Sequence, residues 1–90
     1  MAYTSGRLFA GQKTGIGTGA VQIDTTITNI RECLIQADST NTTALLVGDS
    51  LGQYVSLTAG QSITIPILSL RLVYVKMATG TGIANWIARD

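Results

Sequence analysis

The ninety residues contain no histidine and only one each of cysteine (Cys33), proline (Pro66), tryptophan (Trp86) and phenylalanine (Phe9). Each scarcity closes a route. Without histidine there is no imidazole to act as a general base near neutral pH, and no nitrogen donor for a structural zinc. A single cysteine cannot close an intrachain disulfide, the usual staple of small extracellular domains. As a nucleophile, Cys33 would need an exposed basic setting with a histidine partner; it reads instead as a small buried apolar residue. The five acids (Asp24, Glu32, Asp38, Asp49 and Asp90) fall mostly in loops and at strand ends. Acid–base catalysis needs a positioned pair with separated pKa values, and no motif here supplies one. The expectation is a non-enzymatic chain with no metal and no cofactor.

Charge is also scarce. Charged residues make up 12% of the chain, about half the usual ~25%. The six basic residues are dispersed and the net charge is +1, so no cluster resembles a nucleic-acid patch. The longest apolar-rich stretch, 63–75, is interrupted by Ser, Thr, Pro66 and Arg71, which excludes a spanning helix. Residues 1–6 have neither the basic start nor the apolar core of a secretion signal. Nucleic acid, membrane and small-molecule ligands are therefore not expected as partners, and synthesis in a reducing cytoplasm is. One domain of this length buries only about 60–65% of its unfolded surface. With no disulfide or metal to help, association is the remaining stabiliser.

What the chain does have is strand grammar. In 57–75, Ala59-Gly60 supplies a turn and Ser62–Ile67 alternates, with Ile63, Ile65 and Ile67 on one face. Pro66 cannot donate to a ladder, so that strand lies at a sheet edge or Pro66 faces a gap in the pairing. Leu68-Ser69-Leu70 turns a corner. Leu72–Met77 resumes the alternation, with Val73, Val75 and Met77 inward and Leu72, Tyr74 and Lys76 outward. The two runs read as one hairpin-like wall of a single core.

The remaining segments follow the same pattern. Residues 1–6 read as a flexible arm containing Tyr3, and 7–13 as a first strand. Gly15, Gly17 and Gly19 alternate as in phosphate loops, but neither a Lys-Ser/Thr pair nor a helical pattern follows, leaving a flexible or bulged hairpin loop that offers Gly15, Ile16 and Gly17 for contact. Short strands follow at 20–24, 32–37, 44–48, 53–57 and 83–88, with an irregular crossover at 25–31. Asn41-Thr42-Thr43 matches a glycosylation acceptor without a secretory context, and Asp38 with Asp49 falls far short of a calcium ligand set. About eight short antiparallel strands at ten-residue spacing predict an all-β fold, as a β-sandwich, jelly-roll-like or small barrel arrangement, over residues 1–90. Trp86, Tyr74, Tyr54 and Tyr3 could also form a sugar-stacking platform; packing or interface roles are the stronger reading of these aromatics.

Three segments together carry a family resemblance: STNTTALLVGDS (39–50), LTAGQSITIPI (57–67) and LRLVYVKMATGTGIANWI (70–87). Their order of Ser/Thr-Asn-Thr stretch, Val-Gly-Asp strand end, Ala-Gly turn, Ile/Thr strand, Val-Tyr-Val strand and Gly-rich hairpin resembles small structural proteins of tailed-phage virions. The resemblance spans about 32–87, and the first third departs from it. It implies a β-sandwich displayed on a bacteriophage virion, as a capsid-decorating (cement) protein or otherwise a neck, tail or head-fibre component. It further implies partners among the major capsid protein or other virion proteins, and a homo-oligomer, with a trimer expected to gain from avidity. The contacts expected on that reading are Tyr3, Gly15, Ile16, Gly17, Leu72, Tyr74 and Trp86.

Overall fold

Alternation in the sequence becomes alternation across two sheets. A computed structural model describes residues 8–90; Tyr3 and the rest of the expected arm lie outside the described residues. Eight strands follow in order: β1 (Leu8–Ile16), β2 (Val21–Gln22), β3 (Glu32–Ala37), β4 (Leu45–Gly48), β5 (Gln53–Leu57), β6 (Ser62–Ile65), β7 (Tyr74–Met77) and β8 (Gly82–Arg89). One sheet has the order β1-β8-β3-β6 and the other β2-β7-β4-β5. Every pairing is antiparallel. The first strand pairs with the last, the second with the seventh, the third with the sixth and the fourth with the fifth. That nesting is the wiring of an eight-stranded jelly roll, within the sandwich class the alternating pattern predicts.

The wiring corrects one expectation. β6 and β7 are not two strands of one wall: β6 belongs to the first sheet and β7 to the second. The corner between them carries the chain across the sandwich through a short 3-10 turn, Leu70–Leu72, so Leu72 lies in that turn and not in the strand. The Ser69 hydroxyl accepts from the Arg71 N–H and caps the turn. Val73, Val75 and Met77 are buried as the alternation requires, whereas Ile63, Ile65 and Ile67 are only half-buried. The reason is position. β6 is an edge strand, as Pro66 indicated, so its apolar face is covered on one side alone.

In the first sheet the inward rungs can be read across the register. Gly11 opposes Trp86, which opposes Ile35, which opposes Ile63. Phe9, Ala88, Cys33 and Ile65 form the next rung. Small residues line up beside the one large ring. A Cβ added to Gly11 would lie 2.4 Å from Trp86 Cζ2, so the indole packs directly on the β1 backbone and only glycine leaves room. Trp86 is 9% exposed and belongs to the central core. Its expected role as a surface contact is corrected accordingly. Cys33 is buried in the same core, and burial with the nearby Glu32 charge pushes its thiol up to about 11. That matches a packing role and not a thiolate.

A register shift between Lys13 and Ile16 bulges β1, with Gly15 in the left-handed region at φ 65°. The bulge re-aims the chain inward. Ile16 is therefore a core residue at 1% exposure, which corrects its expected place on an exposed loop. Gly17 is tied down as well, its carbonyl accepting from the Met77 N–H at 2.7 Å.

The crossover at 25–31 is irregular but well bonded. The Asp24 carboxylate accepts from the N–H groups of Thr26 (2.8 Å) and Ile27 (2.7 Å) and from the Thr26 hydroxyl. The Ile27 carbonyl takes the Leu70 N–H, and Leu68 takes the Ile30 N–H, so the crossover runs beside the 67–70 corner. Burial alone would raise the Asp24 carboxyl; the Thr26 and Ile27 donors and the Lys13 charge outweigh it and hold it below its ordinary value. Asp38 is also lowered, by the Thr40 hydroxyl, the Asn85 amide and the Thr40 N–H. Both shifts have the same sign. Their stabilisation is present above the ordinary aspartate range and disappears as pH falls through the depressed folded values. The thermal midpoint is thus expected to hold down to about pH 4 and to drop below it, and Asp24→Asn should flatten that acid limb. A midpoint in which Asp24→Asn and the parent chain fall in parallel would contradict the Asp24 assignment.

Candidate docking surface

Between Asp49 and Arg71 the chain carries no charged residue at all, a run of twenty-one positions. Those positions build one flank of the sandwich. β5 is the edge of one sheet and β6 the edge of the other, joined by the tight turn at 58–61. The flank is open: an apolar cleft of about 290 Å³ lies between the two edges, lined by Val47, Val55, Ile63, Ile65, Ile67 and Leu72. Aliphatic side chains from both sheets meet there with no strand among the described residues to cover them.

The β4–β5 hairpin forms one lip. The Asp49 N–H donates to the Gly52 carbonyl, while its carboxylate accepts from the N–H groups of Leu51 and Gly52. Buried Gln53 donates its side-chain amide to the Asp49 carbonyl at 2.7 Å. This fixes the turn and sets out Leu51 (91% exposed), Tyr54 (88%) and Val55 (45%). The second lip is the 67–72 corner, where Leu68 and Leu72 (56%) stand exposed. Beside it a shallow basin of about 640 Å³ is walled by Leu72, Tyr74, Ile67, Gln22 and Arg71, with Asp49 on the shared rim. Cleft and basin are continuous through Leu72, Ile67 and Asp49.

The opposite face of the first sheet is built differently. Ala10, Ile87 and Leu34 make an apolar rung there, bounded by the Arg89–Glu32 ion pair at 2.7 Å and by an amide ladder. In that ladder Gln12 donates to Asn85, which donates to Gln36 and to Asp38. These polar groups already satisfy one another on the solvated face. On the β5–β6 flank, by contrast, the charged side chains among the described residues are Asp49 and Arg71 at the rim.

Of the contact residues that the resemblance implies, the structure brings Leu72 and Tyr74 together on this basin. Gly15, Gly17 and Trp86 lie elsewhere: the first two at the far end of β1, the last in the core. The sugar platform accordingly loses its tryptophan, and among the described residues Tyr54 is its exposed aromatic. Tyr54, Val55 and Leu51 were not among the expected contacts, although the missing charge over 50–70 marks them in the sequence. Among the described residues no three His, Cys, Asp or Glu side chains group closely enough to hold a metal ion, and no helix is long and apolar enough to cross a membrane. Compared with known proteins, the chain matches no family model, no curated protein and no solved structure.

Proposed function

We propose that this chain is a non-catalytic structural protein of a tailed-phage virion, a capsid-decorating or cement protein that stabilises the shell by binding across neighbouring subunits. The observation that carries the reading is the β5–β6 flank, free of charge over 50–70, with exposed Leu51, Tyr54 and Val55 and with exposed Leu72 beside it. Contiguous exposed apolar side chains on a small chain mark a surface for another protein. The sequence resemblance in 32–87 supplies the virion setting, and the jelly-roll wiring agrees with it by fold-level analogy alone, since that fold also serves lectins and enzymes.

The physics of such a role is simple. A ligand that binds only the assembled shell stabilises it by mass action, because breaking the shell must first break the bridging contacts. Leu72 and Tyr74, beside a basin that also holds Arg71 and Asp49, give an apolar anchor with a polar rim. The test is co-purification with intact particles. The chain should be present in a fixed ratio to the major shell protein, and Leu72→Asp with Tyr74→Ala should reduce its occupancy at least about tenfold, the loss of a typical anchor residue, while circular dichroism stays native. Absence from purified heads would overturn the cement role; a fixed ratio to tail or neck components instead would move the protein to those sites.

A further inference from the structure

Among the described residues, one tight turn carries a large apolar side chain at its tip. The turns at 39–40, 59–60 and 79–80 present Ser39 and Thr40, Ala59 and Gly60, and Thr79 and Gly80. The β4–β5 turn, 49–52, presents Leu51, the most exposed of the large hydrophobic residues. A lone exposed leucine is ordinary; this one is set apart by how firmly its turn is held. The Asp49 N–H donates to the Gly52 carbonyl, and the N–H groups of Leu51 and Gly52 both donate to Asp49 Oδ1, at 2.9 and 3.0 Å. Buried Gln53 closes the turn from the strand side through the Asp49 carbonyl. In the register Val47 faces Val55 and Gly48 faces Gln53, which leaves Tyr54 as a bulged residue at the foot of the turn. The chain is tightly packed around that bulge. A Cβ on Gly48 would lie 2.7 Å from Gln53 Cα and one on Gly52 2.6 Å from Tyr54 Cζ, so both ends of the turn admit only glycine. Leu51 is a fixed, projecting knob.

From this exposure and this rigidity together we infer that Leu51 is a pre-organised anchor that inserts into an apolar pocket of the shell protein, with Asp49 as the residue that positions it. The identity of the partner rests on the virion reading; the anchor itself rests on the turn. A loop that must be ordered on binding loses part of its contact energy to that ordering, and a turn already in its final shape does not. Burying the whole leucine side chain then strengthens binding by about tenfold to a hundredfold. The pocket's rim is uncharged, because Ser50, Gly52, Tyr54 and Val55 around the knob carry no charge. A lipid surface is the poorer match. The charge in the turn is the acid Asp49, and 50–70 holds no Lys or Arg to grip headgroups beside an inserted side chain. Asp49 and Ser50 also belong to the Leu72–Tyr74 basin. The matching surface therefore sets a pocket for Leu51 next to a projection that fills the basin.

Co-sedimentation of the full chain with intact particles freed of it reads this directly. Leu51→Ala should weaken binding at least about tenfold, and Leu51→Asp further, with the urea midpoint unchanged because the side chain is exposed; where Leu51→Asp disturbs the turn, Leu51→Ala carries the test. Asp49→Ala leaves Leu51 in place but removes the acceptor that holds its turn. It should speed amide exchange at Leu51 and Gly52 and weaken binding about threefold to tenfold, the cost of ordering a freed loop. Asp49→Asn keeps an acceptor oxygen at that position and should restore both. Binding of Leu51→Ala equal to that of the parent chain would overturn the anchor and spare the virion role. Asp49→Asn as weak as Asp49→Ala, or unchanged exchange in Asp49→Ala, would overturn the positioning by Asp49. Flotation with phosphatidylcholine–phosphatidylglycerol vesicles that is lost in Leu51→Ala would overturn the protein pocket. A parent chain that binds no particle would sink the virion reading and the pocket with it.

Discussion

Trp86→Ala is expected to cost about 3–5 kcal/mol of folding stability, the range for emptying a buried large aromatic site. At about 0.05–0.15 kcal/mol per residue, that is a large fraction of everything a chain this short has. The cause is geometric. The indole fills the space between Gly11 on β1 and Ile35 on β3, and the residues around it on β8, Ala84 and Ala88, are too small to close in. Urea unfolding followed by circular dichroism gives the number. As the only tryptophan, Trp86 also reports on itself: its emission should be that of a buried indole and shift to the red on unfolding. A loss below about 1 kcal/mol, well short of core truncation costs, would mean that the ring lies on the surface after all.

Asn41→Ala should be the next most damaging change, at about 2–3 kcal/mol. Asn41 is a buried polar residue whose side-chain amide copies a backbone pairing: its Nδ2 donates to the Ile83 carbonyl at 2.9 Å and its Oδ1 accepts the Ile83 N–H at 2.8 Å. The pair pins the β3–β4 loop to the start of β8. The Ile83 carbonyl keeps a second donor, the Asp38 N–H, but the Ile83 N–H would lose its side-chain acceptor. Leaving a donor unpaired costs more than the hydrogen bond itself gained. Denaturant unfolding checks the total, and faster amide exchange at Ile83 locates it. Asn41→Asp keeps the acceptor but turns the donor into an oxygen facing the Ile83 carbonyl, so it should not rescue stability. A neutral Asn41→Ala would show that the loop is held by other contacts.

These two residues also show where a sequence stops being legible. Cys33, Ile35 and Ala37 share one face and Glu32, Leu34 and Gln36 the other, so the charge of Glu32 and the amide of Gln36, despite Leu34 between them, told which face goes inward, and all three of the first set are buried. Pro66 announced an edge strand through the N–H it lacks, and β6 is an edge. Around Trp86 the pattern is silent, because Ile83 and Ile87 on the outer face are as apolar as Ala84 and Ala88 on the inner one. The hint there was Gly11, a glycine inside a strand, which signals close approach by something large. Ile16 was hidden for a related reason: three alternating glycines look like a flexible or bulged loop, and only the pairing register shows that the bulge turns Ile16 into the core. Asn41 offered a glycosylation triplet and a place in the Ser/Thr-Asn-Thr stretch but no sign of burial, since a buried amide mimicking backbone has no local pattern. Sheet membership was also beyond reach. Whether β6 and β7 share a wall depends on how a corner crosses the sandwich, which hydrophobic periodicity does not encode.

The docking surface had a sequence signal of a different kind. Net charge and overall charge content are whole-chain numbers, and they obscured the fact that all eleven charged residues avoid 50–70. Folding gathers that run into one flank, where β5 and β6 leave the two sheets open. Amide hydrogen exchange, comparing the dilute chain with the chain bound to intact particles, tests this surface most directly. If the β5–β6 flank is the docking face, protection rises over 50–57 and 67–74 and stays unchanged along β1. Protection gained along β1 or β2, with 50–57 exchanging as it does in the dilute chain, would contradict it.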